Sequence, residues 1–247
     1  MNNKKISSFI SSGILAMSII NQPILAKANE ITNDYKPTIE KSNQSKEYYQ
    51  NIIENRGKIL TTTDFDKINN ILIQKEKNNV KLSDTEILKL IVKAIKEKET
   101  KPQARKYNIF NQKVTRLELS LTGAYPREAL LVFSNSKKAN KAAQSRYVSK
   151  PSSVLYKGNG DAFRHAYWNV LNRRSVGESF AKLFSDAHES EEPNGIDKTM
   201  DLRNNKIGID LGKYTNNPET VVKYVNNGWL WRIVNNKLTV TDSSGRK

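Results

Sequence analysis

Residues with the types and spacing for chemistry concentrate in Gly158–Asn169, which reads GNGDAFRHAYWN. Asp161 and His165 are four residues apart, so on a helix they lie on one face. A carboxylate beside an imidazole raises its basicity and selects its tautomer, as a general base or a metal ligand requires. The stretch therefore predicts acid–base or metal chemistry at His165. Asp161 also follows Gly158 and Gly160, where a helix N-cap is typical, so a capping role is the alternative.

The second histidine belongs to the same predicted site. His165 and His188 are the only histidines in the chain. His188 borders the apolar face of a predicted helix, and a third helix carries a polar strip between apolar edges, with Gly208 allowing close approach of a neighbour. We predict that these elements form one site. The predicted catalytic residues are His165, Asp161, His188 and Asp201, and the predicted substrate-binding residues are Arg164, Trp168, Glu189, Asn204 and Asn205.

The cofactor is left open by these residues. The chain has no cysteine, which excludes a thiol nucleophile, cysteine metal ligands and disulfides. No HExxH spacing occurs, and the oxygen-rich stretch ESEEPNGID lacks the EF-hand pattern. A divalent metal is compatible with the site but is not specified, and each histidine taken alone is more simply a hydrogen-bonded core residue.

The elements that must position these residues are predicted to be mainly helical. Three helices are expected over 161–174, 177–190 and 199–212, and prolines at positions 126 and 218 suit helix starts. Capping boxes begin two more helices, at Ser83–Glu86 and Thr115–Glu118. The end of the chain predicts a β-hairpin across Asn235–Asn236. The expected fold is a compact multi-helix domain with a small C-terminal hairpin, preceded by a short helical N-terminal region.

The domain organisation follows from shifts in composition along the chain. Residues 1–28 resemble a secretory signal peptide, with an uncleaved membrane anchor as the alternative, and no later segment is apolar enough to span a membrane. A flexible leader over 29–45 and a helical appendage over 46–110 precede the main domain over 111–247. We therefore expect a secreted protein, extracellular or associated with a cell wall.

The charge of the chain points to anionic partners. Lysine and arginine total 41 against 25 acidic residues, for a formal net charge of +16. Such an excess favours nucleic acid or cell-wall polymers as partners. Between positions 158 and 212, however, acidic residues outnumber basic ones, so the predicted site is locally acidic.

A resemblance to a known family rests on three motifs. DAFRHAYW at 161–168, AHE at 187–189 and MDLRNN at 200–205 are similar to the signature of a bacterial domain of unknown function, over roughly residues 114–240. That domain occurs in exported Gram-positive proteins and at the C-termini of polymorphic toxins. The resemblance implies a helical module in a toxin or envelope-active protein, with an immunity-type protein as a partner. It implies no reaction.

Two functions remain open at this point. The first hypothesis is an exported toxin- or effector-like hydrolase that uses His165 and Asp161 on an anionic or polymeric substrate, with a phosphodiester to be tried first. The alternative is a non-enzymatic module that binds the cell envelope or an anionic polymer, in which the polar network only fixes helix packing.

Overall fold

A computed structural model describes residues 45–100, 114–149 and 154–247 of the 247-residue chain. In these ranges the chain forms nine α-helices and one antiparallel β-hairpin. The helices are α1 (Lys46–Arg56), α2 (Thr62–Lys77), α3 (Asp84–Thr100), α4 (Arg116–Ala124), α5 (Pro126–Arg146), α6 (Asn159–Val176), α7 (Glu178–His188), α8 (Ile196–Gly212) and α9 (Pro218–Asn226). The strands are β1 (Trp231–Val234) and β2 (Lys237–Val240). The predicted fold class, mainly helical with a C-terminal hairpin, is confirmed.

Several predictions about the domain organisation concern residues that the structure does not describe. The signal peptide over 1–28, nearly all of the leader and the boundary between 110 and 111 lie outside the described residues. None of the described helices combines the length and the apolar character that a membrane crossing requires.

Local signals in the sequence explain where the helices begin. Before α4, the backbone N–H of Thr115 donates to Glu118 Oε2 at 2.7 Å, and the Thr115 hydroxyl accepts from the Glu118 N–H at 3.1 Å. Ser83 and Glu86 make the same reciprocal pair at the start of α3. Both predicted capping boxes are confirmed, and each satisfies backbone donors that the first turn leaves unpaired.

The larger hydrophobic core joins helices from both sides of the segment 101–113. Phe65 in α2 stacks on Phe133 in α5 with 4.3 Å between ring centroids, and Phe133 meets Phe184 in α7 edge-on at 5.2 Å. All three rings are buried. The helices of residues 46–100 therefore share one apolar core with α4–α7, and the described residues belong to one compact unit.

The close contact between α6 and α8 positions the candidate site. A Cβ atom at Gly208 would lie 2.2 Å from the carbonyl oxygen of Ala166, so only glycine fits there. Gly212, one turn further along α8, similarly faces the backbone of Val170. The prediction that Gly208 permits close approach of a neighbouring helix is confirmed, and the approach brings the polar strip of α8 against α6.

The C-terminal hairpin has the register and turn that the sequence predicts. Trp231 pairs with Val240 and Val234 with Lys237, which leaves Asn235 and Asn236 as the two turn residues. Both have positive φ angles, 49° and 57°, as a type I′ turn requires.

Candidate active site

Helix α6 supplies the central acid, guanidinium and imidazole of the site. It begins at Asn159, with Gly158 as the N-cap residue, so Asp161 lies inside the first turn and is not the N-cap. Asp161 Oδ2 instead accepts the backbone N–H of Lys157 at 2.6 Å. One turn later, His165 faces the same side as Asp161, because residues i and i+4 are neighbours on a helix.

The hydrogen bonds of His165 define its tautomer. Arg164 Nη2 lies 2.6 Å from Nε2 of the ring, and a guanidinium can only donate, so Nε2 is the accepting nitrogen. The proton is therefore on Nδ1, which donates to Asn205 Oδ1 at 3.2 Å. Asn205 is itself fixed by Asn169, which donates to the same oxygen at 2.8 Å, and by its own donation to Glu189 Oε1 at 2.9 Å.

This network corrects the predicted role of Asp161. The sequence suggested that Asp161 orients the imidazole, but its Oδ1 is 3.6 Å from His165 Nε2, and its strong partner is Arg164, which donates to it through Nε at 3.1 Å and also through Nη2. Asn205 on α8 orients the ring instead, because it holds the only protonated ring nitrogen.

The accepting nitrogen of His165 is surrounded by charged groups from two helices. Asp201 Oδ1, from α8, lies 3.3 Å from Nε2, and Asp161 Oδ1 lies 3.6 Å from the same nitrogen. Glu189, in the 3₁₀ turn Glu189–Glu191 after α7, approaches the opposite ring nitrogen at 3.8 Å. Three carboxyl groups and one guanidinium thus enclose a single imidazole.

Burial controls the protonation of this group. His165 is only 2% exposed, and this burial, with the positive charge of Arg164, lowers its pKa to about 3. The imidazole is therefore neutral at physiological pH. Burial also raises the pKa of Asp201 well above its ordinary value, and the negative charges of Asp161 and Glu189 raise it further.

His188 has the opposite electrostatic character. Its Nδ1 lies 2.9 Å from Oε1 of the buried Glu118, and its ring lies 5.1 Å from that of Trp168 and 6.5 Å from that of His165, measured between centroids. Burial alone would lower the pKa of His188, but the charge and hydrogen bond of Glu118 outweigh it and raise the pKa to about 9. His188 is therefore a protonated cation at neutral pH, not a base.

Two predicted substrate-binding residues have other partners. Trp168 is buried and donates its indole N–H to the carbonyl of Val132 at 3.1 Å, which ties α6 to α5. Asn204 exchanges two hydrogen bonds with the backbone of Trp231 and anchors the hairpin to α8. Neither contacts the His165 ring through these bonds, whereas Arg164, Glu189 and Asn205 do belong to its surroundings.

Sequence reasoning missed three members of the site. Glu118 was recognised only as the third residue of a capping box, and that signal accounts for one of its carboxylate oxygens but not for the one facing His188. Asn169, one turn after His165, was not identified, although its i+4 spacing could have indicated it. Glu192 lies in the oxygen-rich stretch ESEEPNGID, which was considered only as a calcium-binding loop and set aside because it lacks the EF-hand pattern.

Unpaired buried oxygens suggest what the site can bind. Among the described residues, Asp201 Oδ1 and Glu189 Oε2 are buried without a hydrogen-bond partner. Donor atoms of Asp161, His165 and Asp201 lie within 4.8 Å of one another, as do those of Glu189, Glu192 and Asp201. Chemically, the arrangement offers a neutral imidazole lone pair beside carboxylates, which suits either proton transfer or coordination of a cation.

Comparison with known proteins gives one family. Residues 119–236 match a family model described as "Domain of unknown function (DUF6973)". This match agrees with the predicted resemblance to a domain of unknown function and contains every residue described around the His165 ring, whereas Glu118, the partner of His188, lies just before it. No curated protein and no solved structure matches the chain significantly.

Proposed function

We propose that the protein is an exported, toxin- or effector-like hydrolase in which His165 acts on an anionic polymer, with a phosphodiester as the first substrate to test. One observation carries this proposal. The lone pair of a neutral imidazole is held within 3.6 Å of two carboxyl groups and within 2.6 Å of a guanidinium. The His165 imidazole as a base, two carboxyl groups and the Arg164 guanidinium as an anion-binding group thus lie within a few ångströms of one another.

The energetics favour a functional origin for this arrangement. Burying charged groups costs free energy that their mutual attraction often fails to recover, and apolar side chains of similar volume are frequently more stabilising. A core whose only task was packing would not need Asp161, Asp201 and Glu189 around one ring. Clusters of buried groups with displaced pKa values are typical of functional sites.

Each group has a role in the proposed reaction. Once Arg164 turns from His165 Nε2 to the bound phosphate, this nitrogen is free to accept a proton from water as the oxygen attacks phosphorus. The resulting imidazolium, next to Asp161 and Asp201, returns a proton to the leaving oxygen. Arg164, which keeps 14% of its side chain exposed, binds the phosphate, and its guanidinium stabilises the developing negative charge. Asn205 keeps Nε2 unprotonated in the resting state.

The test compares two purified variants with the wild-type chain. Hydrolysis of bis(p-nitrophenyl) phosphate, DNA and RNA is measured for wild type, His165→Gln and the surface control Lys206→Met on α8, with folding checked by circular dichroism. We expect His165→Gln to lose roughly 100-fold or more of the rate, since general base catalysis contributes about that much, and the control to be unchanged. Equal rates for the folded His165→Gln variant and wild type would contradict the proposal.

A second function is favoured by a different observation. Asp161 and His165 are 3% and 2% exposed, which also suits a non-enzymatic module whose polar network fixes helix packing while the basic surface binds an envelope or nucleic-acid polymer. This module predicts no hydrolysis of any substrate but retention on heparin or DNA that falls steeply with salt. The toxin-like proposal additionally predicts an immunity-type protein that binds this chain and suppresses its activity.

A further inference from the structure

We propose that Asp161, His165 and Asp201 form a binding site for a divalent transition-metal ion, with Zn²⁺ as the preferred occupant, and that Arg164 is the internal cation which the metal displaces. The inference rests on the site of the proposed hydrolase and gives it a cofactor. While an ion is bound, His165 Nε2 is a ligand and accepts no proton, so the ion would take over the activation of water. It is tested by binding in the absence of substrate, so it does not depend on the activity.

The spacing of the donor atoms supports this assignment. His165 Nε2 lies 3.3 Å from Asp201 Oδ1 and 3.6 Å from Asp161 Oδ1. A tetrahedral zinc ion with ligands at about 2.1 Å places neighbouring donor atoms about 3.4 Å apart. The imidazole nitrogen is therefore already at nearly the coordination separation from each carboxylate oxygen, the two carboxylates lie within 4.8 Å of one another, and Asp161 and His165 are fixed on consecutive turns of α6.

The second observation is an oxygen without a partner. Asp201 Oδ1 is buried, makes no hydrogen bond and faces the accepting nitrogen of His165. A buried carboxylate oxygen without a donor is costly, and carboxylates in cores are normally paired or bound to metals. An ion between Asp201 and His165 would satisfy this oxygen. Glu189 Oε2, likewise unpaired and buried, is a second source of negative charge nearby.

The positive charge now at this point comes from Arg164. Its guanidinium contacts both His165 Nε2 and Asp161 Oδ1, two of the proposed ligand atoms. The carboxyl groups of Asp161, Asp201 and Glu189 lie around Arg164, whereas the nearby His188 cation is held by a carboxylate of its own, Glu118. The proposal requires Arg164 to turn outward when a divalent ion binds, and 14% of its side chain is already exposed.

The donor set indicates which ion binds. Ca²⁺ and Mg²⁺ prefer ligand shells made of oxygen, whereas one imidazole with two carboxylates suits Zn²⁺. Three protein ligands leave a fourth position of the tetrahedron open, as in catalytic rather than structural zinc sites. Arg164, the group that the ion would displace, is also the group proposed above to bind phosphate, so substrate and ion would meet at the same place.

Isothermal titration of the EDTA-treated full chain with Zn²⁺ tests the inference. We expect one ion per chain and weaker binding of Ca²⁺ and Mg²⁺ at the same site. Asp201→Asn should weaken zinc binding by more than roughly tenfold. The matched control is Asp210→Asn, the same change at an exposed position of α8, which should bind zinc as wild type does. Arg164→Gln should bind zinc roughly tenfold more tightly or better, because a competing charge is removed.

A second measurement covers the case in which a variant does not fold. The chain has two histidines, so the imidazole ¹⁵N resonances of the wild type are few enough to assign directly. Zinc should shift the Nε2 signal of His165 and leave that of His188 nearly unchanged. Absence of stoichiometric binding, a shift confined to His188, tighter binding of Ca²⁺ than Zn²⁺, or weaker binding by Arg164→Gln would each overturn the inference.

The outcomes also separate this inference from the hydrolase. Stoichiometric zinc binding without hydrolysis would support the metal site and contradict the proposed reaction. Hydrolysis that depends on His165 and persists in EDTA would support His165 as the base, and the zinc titration alone would then decide the metal site.

Discussion

At the scale of single residues, the His188–Glu118 pair makes stability depend on pH. The folded protein holds the proton of His188 with a pKa of about 9, against an ordinary value of 6.5. Because the folded state binds this proton more tightly than the unfolded chain, the stabilisation is fully present below pH 6.5 and is lost as the pH rises towards 9. The shift corresponds to roughly 3 kcal/mol in the free energy of unfolding.

Urea unfolding in EDTA at pH 6 and at pH 9 measures this effect. Glu118→Gln should largely remove the difference between the two pH values, because glutamine still serves as the third residue of the capping box but carries no charge towards His188. Glu219→Gln, at an exposed ion pair with Arg146, is the control and should retain the difference. Equal pH dependence in wild type and Glu118→Gln would show that Glu118 does not hold the proton.

His165 makes the stability of the fold depend on pH in the acidic range, below pH 6.5. Its pKa is lowered to about 3, so it contributes no pH dependence above pH 6.5, where the folded and unfolded forms are both neutral. Below pH 6.5 His165 is protonated in the unfolded chain but stays neutral in the folded protein, so the free energy of unfolding falls as the pH falls. The raised pKa of Asp201 opposes this loss, because its folded form takes up a proton before its unfolded form does.

The sequence predicted the residues at the centre of the candidate site but not the hydrogen bonds that connect them. Histidine is rare in this chain, so its two occurrences near acidic residues were informative, and i,i+4 spacing correctly placed Asp161 beside His165. Hydrogen bonds between helices cannot be read from spacing on one helix. For that reason Asn205 as the orienting group and Glu118 as the partner of His188 emerge only when α8 and α4 are packed in place.

At the scale of elements, the α6–α8 contact is predicted to tolerate no side chain at Gly208. A Cβ atom there would lie 2.2 Å from the Ala166 carbonyl oxygen, which is backbone and cannot move aside without shifting α6. We expect Gly208→Ala to lower the free energy of unfolding by about 1–3 kcal/mol or more. The same displacement would separate Asp201 and Asn205 from His165, so any zinc binding should weaken too.

A matched glycine in the same region provides the control. Gly195 precedes α8 and has extended backbone with φ of 177°, and a Cβ atom added there would have no neighbour within 4 Å. Gly195→Ala should therefore cost only the N-cap preference for glycine over alanine, roughly 0.5–1 kcal/mol, and less than Gly208→Ala. If both variants unfold at the same urea concentration, close packing at Gly208 is not what holds the two helices together.

The helices were predictable to the extent that their signals are local. Capping boxes, the N1 prolines and the asparagine turn specify their elements within a few neighbouring residues, and the structure has them there. The start of α6 was placed two residues late, because Asp161 resembles an N-cap residue and its actual partner, the Lys157 N–H, lies in the preceding turn. The 37% exposure of Leu183 on α7 likewise depends on which neighbours face that helix, and its local sequence does not specify them.

At the scale of the whole molecule, the shared core predicts that residues 46–100 and 114–247 unfold together. Phe65 in α2 is fully buried and stacks on Phe133 in α5, so Phe65→Ala should cost about 3–5 kcal/mol. All three tryptophans lie between positions 168 and 231, so tryptophan fluorescence reports only on the second segment. We expect Phe65→Ala to lower the urea midpoint seen by fluorescence as much as that seen by far-UV circular dichroism.

Ile71→Ala, at a position of α2 that is 43% exposed, is the control and should move neither midpoint appreciably. In Phe65→Ala, part of the circular dichroism signal could instead be lost at lower urea while the fluorescence midpoint stays at the wild-type value. This result would support the predicted appendage over 46–110 as an independent folding unit. Coincident shifts would mean that this segment stabilises the helices carrying Asp161, His165 and Asp201. Removing it would then weaken the site without touching any of its ligands, because α6 packs on α5 and α5 packs on α2.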